Sequence, residues 1–182
     1  MKGMITIAIN EGKRFENSWQ SSVPDTCFIY RLNDNAGSFG GGNNLRFATS
    51  NICDYFMHDD ISNTMYALEL KTTKNNTMTY WRQDFEVKGK KQSFMIKKNQ
   101  ILGLQKASKH RIVCGFILNF RETTNHTYFI MIDEFIDYTS TLDKKSINES
   151  DVLNMNPILI EQTLKKVNYK YNVGKFLQET RL

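Results

Sequence analysis

Nowhere in the 182 residues does an apolar run approach the roughly 20 needed to cross a bilayer. The opening "MKGMITIAINEGKRF" holds one short apolar stretch broken by charge and no small-residue cleavage pattern. Neither a membrane span nor an export signal is expected, and the reading is a cytoplasmic protein. Cysteine is scarce as well. Cys27, Cys53 and Cys114 are odd in number, far apart and without a C-x-x-C, which excludes a disulfide framework or a zinc knuckle and fits a reducing compartment. His58, His110 and His126 lack metal-ligand spacing, and Cys114 lies too close in sequence to His110 for a thiol-protease dyad. Internal repeats, heptads and low-complexity tracts are missing. The glycine-rich "DNAGSFGGGNNLRFATSN" is closed by no G-K-[ST] and is followed by no helical pattern, so residues 34–50 are read as a loop or arm and not as a phosphate loop.

What is present supports one domain over residues 1–182. Hydrophobic residues make up 40% and aromatics 12%, enough for a sizeable core. The formal charge of +5, with a pI of about 9.0, favours an anionic partner. Lysine and asparagine are plentiful and arginines few, which points to an A+T-rich genome such as that of a phage or a low-G+C bacterium.

The chain mixes both kinds of element. Phe15 and Trp19, four apart, predict an amphipathic helix over 11–22 that stops before Pro24. "CFIYRLN" reads as a first strand, and "NICDYFM" and "TMYALELKTT" as a hairpin turning through "HDDISN". Ile101, Leu104 and Ala107 predict a second helix, with "RIVCGFILNF" and "TYFIMIDEF" as two further strands. "SINESDVLNM" suggests a short helix. Asn156 and Pro157 read as the N-cap and first turn of another over "PILIEQTLKKV", making 151–182 a C-terminal helical segment.

In "MYALELKTTKNN" the strand period puts Tyr66, Leu68 and Leu70 on one face and Glu69 and Lys71 on the other. A turn near 58–63 would bring Asp54 beside Ala67 and close to Glu69. Two converging carboxylates repel unless a cation lies between them, and hard oxygen donors suit Mg²⁺ or Mn²⁺. Lys71 would then position a nucleophile or offset charge on a phosphodiester. The plain alternative is a Glu69–Lys71 ion pair on the solvated face of a strand.

Asp54, Glu69 and Lys71 form a D-x14-E-x-K pattern that resembles the PD-(D/E)XK nuclease superfamily. Within it, "GKRFE" at 12–16, "CDYFM" at 53–57 and "ALELKTTKN" at 67–75 are similar, in order, to motifs of the RecU Holliday junction resolvase family. "KKNQILGLQKASKHRIVCGFILNF", "TYFIMIDEF" and "KSINESDV" continue the series to about residue 150. The resemblance implies a restriction-endonuclease-like α/β fold, a central mixed sheet flanked by helices. It implies that Asp54 and Glu69 bind Mg²⁺, that Lys71 assists the attacking water, and that Glu16 and Gln100 support the site. It also implies a homodimer that cuts four-way DNA junctions in recombination or repair. Two departures stand out. Asn51, Ile52 and Cys53 occupy the family's Ser/Thr-rich step, and the segment matching its basic stalk, 34–50, has Arg46 as its one basic residue.

Lys88, Lys90, Lys91, Lys97 and Lys98 form a cluster which, with Lys13, Arg14, Arg46 and Lys74, would neutralise DNA phosphates. Tyr80, Trp81 and Phe94 are either base-stacking or core residues. Two other readings stay open: a restriction or repair endonuclease of the same superfamily, and a DNA-binding module without catalysis.

Overall fold

A computed structural model of the chain describes residues 10–32, 51–86, 92–122 and 125–181. The arm read over 34–50 lies outside the described residues.

Helix α1, Glu11–Gln20, begins where Asn10 Oδ1 accepts the Lys13 N–H at 3.1 Å and buries Phe15 and Trp19. Strands β1 (Cys27–Arg31), β2 (Tyr55–Asp59) and β3 (Thr64–Thr73) follow as an antiparallel meander. The short β4 (Thr77–Thr79) leads to α2 (Lys98–Ser108), and β5 (Ile112–Phe120) returns parallel to β3. Next come β6 (His126–Met131), α3 (Ile132–Ser140), β7 (Ser146–Asn148) and α4 (Glu149–Leu153). The chain closes with β8 (Ile158–Leu159), the hairpin β9 (Gln162–Lys165) and β10 (Asn168–Tyr171), and α5 (Val173–Thr180).

Among the described residues the main sheet has six strands in the order β1-β2-β3-β5-β6-β8, mixed because β3 and β5 run parallel. This is the α/β class the sequence implied, a central mixed sheet flanked by helices. One face carries α1 and α5. There Phe176 meets Trp19, Tyr66 and Phe129 at ring-centroid distances of 5.7, 5.8 and 5.1 Å. On the other face α2, through Ile101 and Leu104, and α3 pack with Ala67, Tyr80 and Phe116, with Phe116 and Phe135 at 4.8 Å. Tyr80 is therefore core; Trp81 and Phe94 are half-buried against the same cluster. As the strand period predicted, Tyr66, Leu68 and Leu70 join the first core while Ala67 belongs to the second.

Three expectations require correction. "TYFIMIDEF" is not one strand: β6 ends at Met131 and α3 starts at Ile132. Ile132, Phe135 and Thr139 are buried at helical spacing, and Asp133 and Glu134 suit the positive end of the helix dipole. "PILIEQTLKKV" is not a helix. Asn156 has φ 46°, Ile158 and Leu159 pair with Phe129 and Tyr128, and Gln162–Lys165 pairs with β10. The run alternates, Ile160 buried and Leu159 exposed, so period two governs it. The C-terminal segment is thus largely β-structure followed by α5. Finally, β2 begins at Tyr55, and Phe56, not Asp54, stands opposite Ala67.

Gly103 sets how closely α2 approaches the chain ahead of β2. A Cβ there would run into the Cβ and Cγ2 of Ile52, with Ile52 Cα at 3.5 Å. Gly103→Ala is expected to lower stability by about 1–3 kcal/mol through overpacking, read as a fall in melting temperature. An unchanged melting temperature would mean that Ile52 moves aside freely.

Candidate active site

The site forms where β2 begins and β3 nears its end. Carrying the Tyr55↔Leu68 register back one residue sets Asp54 across from Glu69. Regular ladder pairing breaks down there. The Asp54 N–H donates to the Leu68 carbonyl at 3.1 Å, its own carbonyl accepts the Leu32 N–H at 2.8 Å, and its Oδ2 accepts the Leu70 N–H at 2.8 Å. The carboxylate takes the place of the main-chain acceptor that a partner strand would offer the Leu70 N–H of β3, which holds it at the strand edge beside Glu69.

Glu69 is 1% exposed, so the solvated-face reading of the Glu69–Lys71 pair is excluded. Its Oε1 accepts from Lys71 Nζ and from Gln100 Nε2. Gln100 is held in turn by the start of α2, where its Oε1 accepts the Lys97 N–H at 2.8 Å. Asn99, the preceding residue, donates its side-chain amide to the Asn51 carbonyl at 2.6 Å and so ties down the chain leading to Asp54.

Both carboxyls are hard to ionise. Burial pushes Asp54 up from its ordinary value and Glu16 adds to this, against the Leu70 N–H, Lys71 and Arg31. Burial pushes Glu69 from 4.5 up to about 7; the Asp54 charge adds to this and Lys71 opposes it. Among the described residues nothing donates to Asp54 Oδ1 or Glu69 Oε2. Two adjacent acids that resist ionising, each with a free oxygen, are a donor set that fits a hard divalent cation. No group of three His, Cys, Asp or Glu side chains gathers with ligand spacing among the described residues. Further ligands for such an ion would be main-chain oxygens, water or substrate, as Mg²⁺ commonly uses.

Glu16 stands beside this cluster without a hydrogen bond into it. Arg31 grips its Oε2 through Nε at 2.9 Å and Nη2 at 2.7 Å, Lys13 Nζ lies 3.6 Å away, and Tyr55 donates to its carbonyl at 3.2 Å. Arg31 was not among the residues picked out from sequence. A lone cation ending the apolar run "CFIY" next to a strand that carries an acid was its available signal.

Five of the candidate DNA-contacting residues are described. Lys13 is exposed on α1, whereas Arg14 is half-buried, 3.5 Å from Glu11 and bonded to Asn168. Lys74 is exposed just past β3, and Lys97 is exposed at the start of α2. Lys98 lies over the Trp81 ring at 4.8 Å and pairs with Glu86 at 3.0 Å. Arg46, Lys88, Lys90 and Lys91 lie outside the described residues. His58 bonds Asp60 and Asn63 in the β2–β3 turn, and His126 bonds Tyr128 and Glu149. No described helix is long and apolar enough to cross a membrane.

No family model matches the chain. An SPbeta prophage-derived uncharacterized protein of Bacillus subtilis (strain 168) is 28% identical over 192 aligned positions, covering 94% of this chain and 87% of that protein. Among solved structures, a Holliday junction resolvase from the archaeal hyperthermophile Archaeoglobus fulgidus is similar at a TM-score of 0.41 and 16% identity. That match covers 77% of this chain and 90% of the resolvase. Similarities of this size leave the chemistry to be read from the chain's own residues.

The raised Glu69 pKa has a consequence for stability. A carboxyl that holds its proton more tightly when folded favours folding at low pH, and its contribution turns unfavourable as pH climbs from 4.5 through about 7. With a chelator present, Glu69→Gln is therefore expected to gain stability over the wild type between about pH 5 and about pH 8, by an amount on the order of 2 kcal/mol. Denaturant melts across that range measure the difference, and a flat difference would mean that Glu69 ionises at its ordinary pH.

Proposed function

We propose that the chain is a metal-dependent endonuclease of the PD-(D/E)XK type, similar to RecU-like resolvases and acting on four-way DNA junctions in recombination or repair. The observation that carries this reading is the convergence of Asp54, just ahead of β2, with Glu69 and Lys71 on β3 and Gln100 on α2, with Glu69 buried. A buried glutamate and a half-buried aspartate that desolvation makes hard to charge, set beside an ammonium, support reading this cluster as a functional site.

Asp54 and Glu69 would hold Mg²⁺, with Mn²⁺ able to replace it. The ion would supply Lewis-acid polarisation of a phosphoryl oxygen and a more acidic bound water. Asp54 is kept in place by the Leu70 N–H, so its free oxygen is presented without loss of side-chain entropy. Gln100 is a positioning residue: its amide fixes the Glu69 carboxylate from the α2 side. Lys71 is 18% exposed in its side chain and reaches Glu69. From there its ammonium can orient a water against the scissile phosphate and offset the charge that builds in the transition state. Glu16, braced by Arg31, adds negative charge at the rim and raises the demand for a cation at Asp54. Two symmetric nicks in a junction require two such sites, which a two-fold homodimer supplies.

Incubation with a synthetic four-way junction and a linear duplex, each with Mg²⁺ or EDTA, tests this. Junction cutting that needs Mg²⁺ and exceeds duplex cutting is expected. Equal cutting of both would leave a nuclease of another kind, and no cutting would leave a binding module. Asp54→Asn and Glu69→Gln should each abolish cleavage, by about a thousand-fold or more, yet retain junction binding in a gel-shift assay. Near wild-type cutting by either variant would remove the metal assignment.

A further inference from the structure

Two elements that meet at the carboxylates also wall a second, open groove of about 660 Å³. Arg14 and Phe15, directly before Glu16 on α1, line it, as does Thr72, directly after Lys71 on β3. The far wall is the β9–β10 hairpin, through Leu164, Lys166, Val167 and Asn168. The groove opens on the α1 face of the sheet, opposite the face that carries Glu69 and Lys71, and lies one residue along the chain from Lys71 on β3 and from Glu16 on α1.

Its charge is lopsided. Arg14, Arg121 and Lys166 line it, and Glu11 is the acid among the lining residues. Glu11 is shared between two guanidiniums, 3.5 Å from Arg14 and 3.6 Å from Arg121. Both arginines are also braced. Arg14 Nε donates to Asn168 Oδ1 at 3.1 Å, and Arg121 Nε donates to Thr72 Oγ1 at 3.0 Å. Held guanidiniums lose little entropy on meeting a phosphate, which suits them to a polyanion better than free surface lysines. The hairpin adds Lys165, Lys166 and Lys170, all exposed, and no ion pair joins them to a described residue. Between these cations Leu164 is 56% and Val167 66% exposed. Apolar side chains among cations match the alternation of sugar, base edge and phosphate along DNA.

We propose that this groove and the β9–β10 hairpin hold the DNA backbone on one side of the scissile phosphate, an inference that rests on the nuclease reading above. The hairpin would thus supply a cationic contact surface outside the 34–50 segment.

Junction binding by fluorescence anisotropy, in a Glu69→Gln background and across a salt series, decides it. Lys166→Gln and Arg14→Gln are each expected to weaken binding about three- to ten-fold at roughly 0.1 M salt, and to flatten the log–log salt slope by about 0.9 per lost contact. Lys175→Gln, the same charge change at an exposed lysine paired with Glu161 outside the groove, should do neither. Lys166 lies exposed in the hairpin turn, so its variant stays informative even if Arg14→Gln loosens the fold. Groove variants that bind like Lys175→Gln would overturn the proposal. Unchanged DNA affinity with an altered sedimentation coefficient would overturn it too, in favour of a protein contact at the hairpin. The nuclease reading fails separately, by absence of Mg²⁺-dependent cutting in the wild type.

Discussion

The hydrogen bond from the Leu70 N–H to the Asp54 carboxylate is the contact on which the site's geometry depends. In an uninterrupted antiparallel pair that donor would meet a main-chain carbonyl. Here β2 has not yet begun, and a side chain completes the ladder in its stead. An acid is thereby fixed by the same repeat that fixes the strand, and Glu69 falls beside it without any special loop. Lys71 follows two residues on and shares the face by the period of the strand.

Glu69 makes this arrangement expensive. It sits on the face of β3 that otherwise holds Ala67 and packs against Phe116 and Leu104, a surface on which an aliphatic residue would serve stability better. Lys71 and Gln100 satisfy one of its oxygens and leave the other without a donor among the described residues. A purely structural ion pair has no need of that asymmetry. The contrast with Lys175 and Glu161 is instructive: that pair is exposed on both sides, and desolvation is the smallest of the influences on Glu161.

Much of this was legible in the amino-acid order. Phe15 and Trp19 mark α1, and the alternation in "MYALELKTT" separates core from site. Gln100 and Glu16 rested on the resemblance to resolvases, since no local pattern distinguishes a buried glutamine from a solvated one. A continuous strand through "NICDYFM" puts Asp54 two residues out of its actual register, because nothing in that run marks where pairing starts. Asn156 and Pro157 predict a helix where the chain forms β8 and β9. Such cap signals are only local, and the pairing of Ile158 and Leu159 with β6 outweighs them. Arg31 and Asn99 owe their roles to partners 15 and 48 positions away in the chain, a distance that single-sequence periodicity does not span.

Consecutive residues of α2 hold the two acids by separate routes, Asn99 through the main chain at Asn51 and Gln100 directly at Glu69, while Gly103 lets the same helix rest on Ile52. One rigid rod therefore governs both halves of the pair. The two acids therefore share a footing: wherever that helix is anchored, Glu69 and the stretch leading into Asp54 inherit its position.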